Sequence, residues 1–297
     1  MIADRLGASD DSVWITFDSP QSRSLLAGKD ARFVPYIPPR GWRQALRAWV
    51  LAARTTRFMS FDAAVSTGAG LAFAVLPQMR VRRIPTYYIE SVSRINGPSL
   101  TGRMISATRA ASLRTQHSSW ADARWRPFPP VLGQFVAHHR EPPGVDAAGD
   151  DTRRPTVFVT LGTIHPYRFD ALIDGLLASG LVDERTVWQI GETSRSDLPG
   201  MVNQYMSADD FTLACANADV VVTHAGVGTI LALLDAGVFP VVVPRRSARR
   251  EHVDDHQGQI STLVERLGVA AVTEANGDLA SAILEASMKR VARSDDR

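Results

Sequence analysis

The chain has 297 residues with 45% hydrophobic and 22% charged content, the balance of a globular protein and more than one ordinary core accommodates. No apolar run reaches the roughly 20 residues that span a bilayer, the polar start MIADRLGASDDS has no secretory core, and the lone Cys215 excludes an internal disulfide. The formal net charge of +2 hides an asymmetry: residues 1–140 hold 19 Lys+Arg against 8 Asp+Glu, and the remainder 14 against 23. The expectation is a cytoplasmic two-domain protein whose basic first half either meets an anionic partner or carries its arginines on solvated faces.

In chain order, strands are predicted at 12–17, 31–36, 62–66 and 85–90, with helices at 19–27, 42–57, 70–82 and 99–111. Residues 1–8 read as the tail of a helix, so the first domain begins one strand late. Residues 141–155, EPPGVDAAGDDTRRP, have three prolines and no apolar period, the composition of a linker. Beyond it, short β-branched runs at 156–161, 186–190, 219–223, 239–243 and 269–273 alternate with helical periods such as 167–179, 228–236 and 256–267. Continuous apolar strands alternating with helices predict a parallel sheet covered on both faces. The domains are therefore expected at 1–140 and 156–297.

Three strands run into glycine turns that open helices, the arrangement in which free backbone N–H groups and the helix dipole favour phosphate. They are Ser66-Thr67-Gly68-Ala69-Gly70, Leu161-Gly162-Thr163, and Thr223-His224-Ala225-Gly226-Val227-Gly228-Thr229. A single such turn is equally well a tight strand–helix connection. None has the dinucleotide spacing or a Walker lysine. After the next strand stands Glu251-His252-Val253-Asp254-Asp255-His256-Gln257, a mixture of acid, imidazole and amide that suits sugar and ribose hydroxyls better than a metal.

THAGVGT followed by EHVDDHQ resembles the donor signature of GT-B glycosyltransferases that use UDP-sugars. VSTGAGLA and YYIESVSRINGPSLTGRM resemble the acceptor-side, membrane-recruiting subunit of the eukaryotic dolichol-linked UDP-GlcNAc transferase, and the whole looks like a bacterial exopolysaccharide or capsule transferase that fuses both subunits. The resemblance implies two Rossmann-like domains facing a cleft, with no metal or other cofactor and the UDP-sugar as co-substrate. It implies donor contacts from Gly162, Thr163, His224, Gly226, Gly228, Thr229, Asp255, His256 and Gln257, and an acceptor side of Ser66, Thr67, Gly68, Gly70, Glu90 and Ser91. Relatives begin with a further strand and a Gly-Gly-His loop; either translation starts upstream of this sequence or this copy lacks part of its site. A relative also has a ribose-binding glutamate where this chain has Ala232.

The implied reaction is a single displacement at the anomeric carbon of GlcNAc, glucose or glucuronate, with a lipid-linked or polysaccharide acceptor. Glu90, His224 and His252 are candidate bases, Glu90 and His224 foremost. A stripe of Arg43, Arg47 and Arg54 with Trp42 and Trp49 suits a helix lying on anionic lipid at the inner face of the plasma membrane. It equally suits a solvated face. Nucleic acid fits poorly, because no binding motif occurs. A non-hydrolysing UDP-sugar epimerase and an inactive recruitment protein are the rival readings.

Overall fold

The computed structural model describes residues 2–37, 41–140, 154–162, 166–251 and 256–294; the predicted linker lies outside them except for its last two residues. The chain divides into two units, Met1–Val131 and Leu132–Arg297. The division precedes position 140 because the segment after Val131 pairs with the end of the chain.

The first unit comprises α1 (Ile2–Arg5), β1 (Trp14–Phe17), α2 (Pro20–Leu25), β2 (Ala31–Val34), α3 (Trp42–Thr56), β3 (Ala64–Ser66), α4 (Ala69–Val81), β4 (Thr86–Ile89), α5 (Leu100–Thr108), β5 (Ser112–Thr115) and β6 (Trp125–Pro127). Ala48, Ala52 and Thr56, spaced four apart on α3, form its buried stripe. Small side chains there let α3 pack on α4, with Ala48 and Ala74 in one cluster with Val34 and Ile37. Strand alternation turns Tyr88, Leu113 and Trp125 towards Ala72 and Leu76 of α4 and Ile105 of α5, so both helices cover one face of the sheet.

All strand pairs here are parallel, in two sheets: β1 with β2, and β3-β4-β5-β6. In the doubly wound order 3-2-1-4-5-6, β2 and β1 occupy the third and second places, and β3 onwards the fourth and later ones. Among the described residues no strand occupies the first, central place.

The second unit comprises β7 (Phe135–His139), β8 (Val157–Thr160), α6 (Asp170–Ser179), β9 (Val187–Gln189), β10 (Met201–Asn203), α7 (Ala208–Asn217), β11 (Val220–His224), α8 (Val227–Asp235), β12 (Val241–Val243), α9 (His256–Arg266), β13 (Ala271–Val272), α10 (Leu279–Ser287) and β14 (Lys289–Arg293). Its six-stranded parallel sheet runs β10-β9-β8-β11-β12-β13, the complete 3-2-1-4-5-6 winding. Every residue of β8, β11 and β12 is buried, as continuous apolar runs in a doubly covered sheet require. β7 and β14 form a separate antiparallel pair from Phe135↔Arg293 to His139↔Lys289.

Candidate active site

Winding order reverses between β8 and β11, and in such sheets ligands gather where the loops at the carboxyl ends of those two strands diverge. β11 ends at His224, only 7% exposed. A Cβ on Gly162 would come within 2.4 Å of its ring, and one on Gly226 within 2.2 Å. The imidazole therefore lies between the two loops, where a side chain on either glycine would have to displace it; Gly162 also has φ +76°. Beneath the ring, the Thr223 hydroxyl donates to the Thr160 carbonyl at 3.1 Å and stitches β11 to β8.

Gly226 is the N-cap of α8, where no side chain caps the helix and the first turn carries no acid. The opening N–H groups and the positive end of the dipole are thus left for an anion. Gly228 is exposed, with nothing within 4 Å of the place its Cβ would take. The approach to these amides is open.

Arg245, two residues beyond β12, was not singled out by the sequence and is 1% exposed. Its guanidinium donates to the carbonyls of Leu161, Tyr167, Arg168 and Glu251 and lies over the Phe169 ring, 5.0 Å from its centroid. Burial pushes its pKa down to about 10, against a pull from Glu251. One side chain thereby ties the loop after β8 to the loop before α9. The expected sugar-holding run is seen in part: Thr163, His252 and Asp255 lie outside the described residues, as does the side chain of His256 at the start of α9. Gln257 is buried, and its Oε1 accepts from the backbone N–H of Arg245 at 3.0 Å. That oxygen holds the loop in place.

In the first unit the Ser66–Gly70 turn joins β3 to α4. Gly68 is the N-cap of α4, with no side-chain cap, and takes φ +128°; its N–H donates to the Ser66 hydroxyl at 3.4 Å. Thr67 is exposed, and Gly70 sits where a Cβ would press on Ile37 at 3.0 Å. Glu90 is placed differently from the sequence reading. It is 2% exposed and accepts from the Tyr88 hydroxyl (3.1 Å), the Ser91 N–H (3.0 Å), and the Ser99 N–H (2.8 Å) and hydroxyl (2.9 Å). Ser99 in turn caps α5, and a Cβ on Gly102 would meet Glu90 Oε2 at 2.4 Å. Four donors occupy both carboxylate oxygens, so Glu90 anchors α5 and is not poised to take a proton. Burial, then the Glu90 charge, push the Tyr88 hydroxyl pKa up.

Residues 183–296 match the glycosyltransferase family 28 C-terminal domain. MurG of Acinetobacter baumannii is 18% identical, over 92% of this chain and 80% of that one, with TM-score 0.54. The spinosyn forosaminyltransferase SpnP is 15% identical, over 97% and 86%, with TM-score 0.56. Arabidopsis thaliana UGT89C1, complexed with UDP-L-rhamnose, is 14% identical, over 91% and 81%, with TM-score 0.55. The fold is that of a GT-B glycosyltransferase. Among curated proteins none matches the chain.

The matched residues lie in the second unit and include His224, Gly226, Gly228, Arg245 and Gln257, while Leu161 and Gly162 precede them. On α3, Arg43, Arg47 and Arg54 are exposed opposite the buried alanines, and Trp49 is 43% exposed beside Leu46; the Trp42 side chain is outside the described residues. Ser91 follows Glu90, its hydroxyl 3.0 Å from that of Ser93. Among the described residues no helix is long and apolar enough to cross a membrane.

Proposed function

We propose that this chain is a hexosyltransferase that moves GlcNAc, glucose or glucuronate from a UDP donor to a lipid-linked or polysaccharide acceptor in cell-surface glycan biosynthesis. The observation that carries the reading is the His224 ring between Gly162 and Gly226 at the switch point, beside an uncapped α8. The nucleotide-sugar named with UGT89C1 supports a donor of this class.

In this reading the N–H groups around Gly226, Gly228 and Thr229 receive the diphosphate, with His224 and Gly162 beside it. As the acceptor oxygen attacks the anomeric carbon, negative charge grows on the departing UDP, and fixed amides stabilise it without reorganising. Asp255, His256 and Gln257 hold the hexose, with Gln257 also serving its loop. Ser66, Thr67, Gly68, Gly70 and Ser91 line the acceptor side, and the basic stripe of α3 meets anionic lipid. His224 and His252 are the remaining candidates to take the acceptor's proton.

Titration with UDP tests the donor site. Gly228→Ala should bind like the parent, since its Cβ meets nothing. Gly228→Asp sets a carboxylate against the diphosphate and should weaken binding by at least about 100-fold, or roughly 3 kcal/mol. Equal affinities in both variants would place UDP elsewhere. Release of UDP from a panel of UDP-sugars with membrane extract as acceptor tests the transfer itself.

A further inference from the structure

Two adjoining cavities, of 290 and 460 Å³, open around the start of β5 in the first unit and share Arg109, Ala111 and Ser112. Arg114, Arg124 and Arg126 line one and Arg80 and Arg83 the other. The proposed acceptor loop follows β3, at the opposite end of the parallel strands. We infer that these six arginines form a second anion site, which takes a ligand carrying two or more phosphate charges.

Charge balance argues for this first. None of the six forms an ion pair among the described residues. Other arginines do hold acids: Arg195 reaches Asp170, Asp174 and Asp197, and Arg23, Arg140 and Arg293 each hold an aspartate. Asp122 accepts from the backbone N–H groups of Arg124 and Trp125, and Glu90 is engaged with α5.

Placement argues for it next. Helix dipoles account for cations at the ends of α4 and α5, and so for Arg80, Arg83 and Arg109. They do not account for Arg114 and Arg126, which stand directly opposite each other on neighbouring strands, an arrangement of like charges that weakens a sheet. Arg83 and Arg109 also hold left-handed backbones at φ 62° and 51°, where glycine would be easier. Two of the guanidinium groups are already oriented: Arg114 lies over the Tyr87 ring at 5.9 Å, and Arg124 donates to the Ser106 carbonyl. The hydroxyls of Ser106 and Ser112 complete a lining rich in donors, and the combined space suits a small polyanion.

The probe is inorganic pyrophosphate, titrated calorimetrically at about 0.15 M ionic strength, where bare surface charges are largely screened. It is used on the whole chain and on the Gly228→Asp protein, in which the α8 amides are blocked. Saturable binding is expected in both, weakened at least about tenfold by Arg109→Gln with Arg126→Gln. The exposed Arg103→Gln, outside both cavities, should leave it unchanged. The double variant should unfold no earlier than the parent, since it removes repulsion. A flotation arm gives the source. Binding to phosphatidylcholine vesicles containing phosphatidic acid that pyrophosphate competes away, and the double variant lacks, assigns the site to a lipid headgroup. Pyrophosphate binding with vesicle binding unaltered assigns it to a soluble phosphate. Unsaturable uptake of pyrophosphate, or equal affinity in parent and double variant, overturns the inference whether or not UDP binds at α8.

Discussion

Glu90 and Arg245 show how a buried charge divides its work between structure and site. With four donors on Glu90, Glu90→Gln turns an amide towards N–H and hydroxyl groups that need an acceptor. The first unit should lose roughly 2–4 kcal/mol in urea denaturation, and UDP affinity should stay at the parent value; a parent-like midpoint would return Glu90 to the list of bases. Arg245→Met has the opposite signature. It strips a donor from the carbonyls of Leu161, Tyr167, Arg168 and Glu251, the loops that frame His224. Destabilisation by roughly 3–5 kcal/mol should accompany a fall in UDP affinity of tenfold or more, roughly 1.4 kcal/mol. Retained affinity would show that the loops hold their shape without it.

At the scale of elements, ion pairs join α6 to the loop before β10. Arg195 reaches Asp174 of α6 at 2.7 Å and Asp197 at 2.7 Å. The hydrogen bond from Arg195 holds the Asp197 pKa down to about 2, and Arg168 lowers that of Asp170 in the same way. A carboxylate whose folded pKa is depressed adds stability above its unfolded pKa, near 3.8, and loses it as pH falls through the folded value. The window is therefore about pH 4 to 2. Arg195→Gln should lower the urea midpoint at pH 5, and the gap from the parent should close by pH 2; an equal gap at both would mean that the pairs act through packing. The buried parallel strands were legible in the sequence because β8, β11 and β12 are apolar on both faces. β10 was not, with Met201 64% and Val202 41% exposed, and β6 contains Pro127. The glycine loops could be read because turn and helix start are neighbours in sequence. Arg245 could not, because its four carbonyl partners come from two separate loops and meet it only in the fold.

At the scale of the molecule, the question is where one folding unit stops. Composition places the break at 141–155, yet β7 lies before that stretch and pairs along its whole length with β14. Period and propensity reveal a strand but not its partner, and these partners stand at opposite ends of the second unit. Phe135 and Val291 are each 4% exposed, Arg140 reaches Asp219 at 2.8 Å, and the Ser294 N–H donates to the Gln134 carbonyl. Residues 132–297 should therefore fold alone, with one cooperative transition reported by Trp188, their only tryptophan, and should bind UDP like the whole chain. A fragment cut at 156 leaves β14 as a bare edge and loses the ladder and the Phe135 contact. Ladder bonds at about 1 kcal/mol each and an aromatic side chain at about 2 put the loss at roughly 4–6 kcal/mol, a large part of what a domain this size has. Its urea midpoint should fall accordingly, or the fragment should aggregate. Equal midpoints for the two fragments would move β7 back to the first unit and restore the boundary that composition suggests.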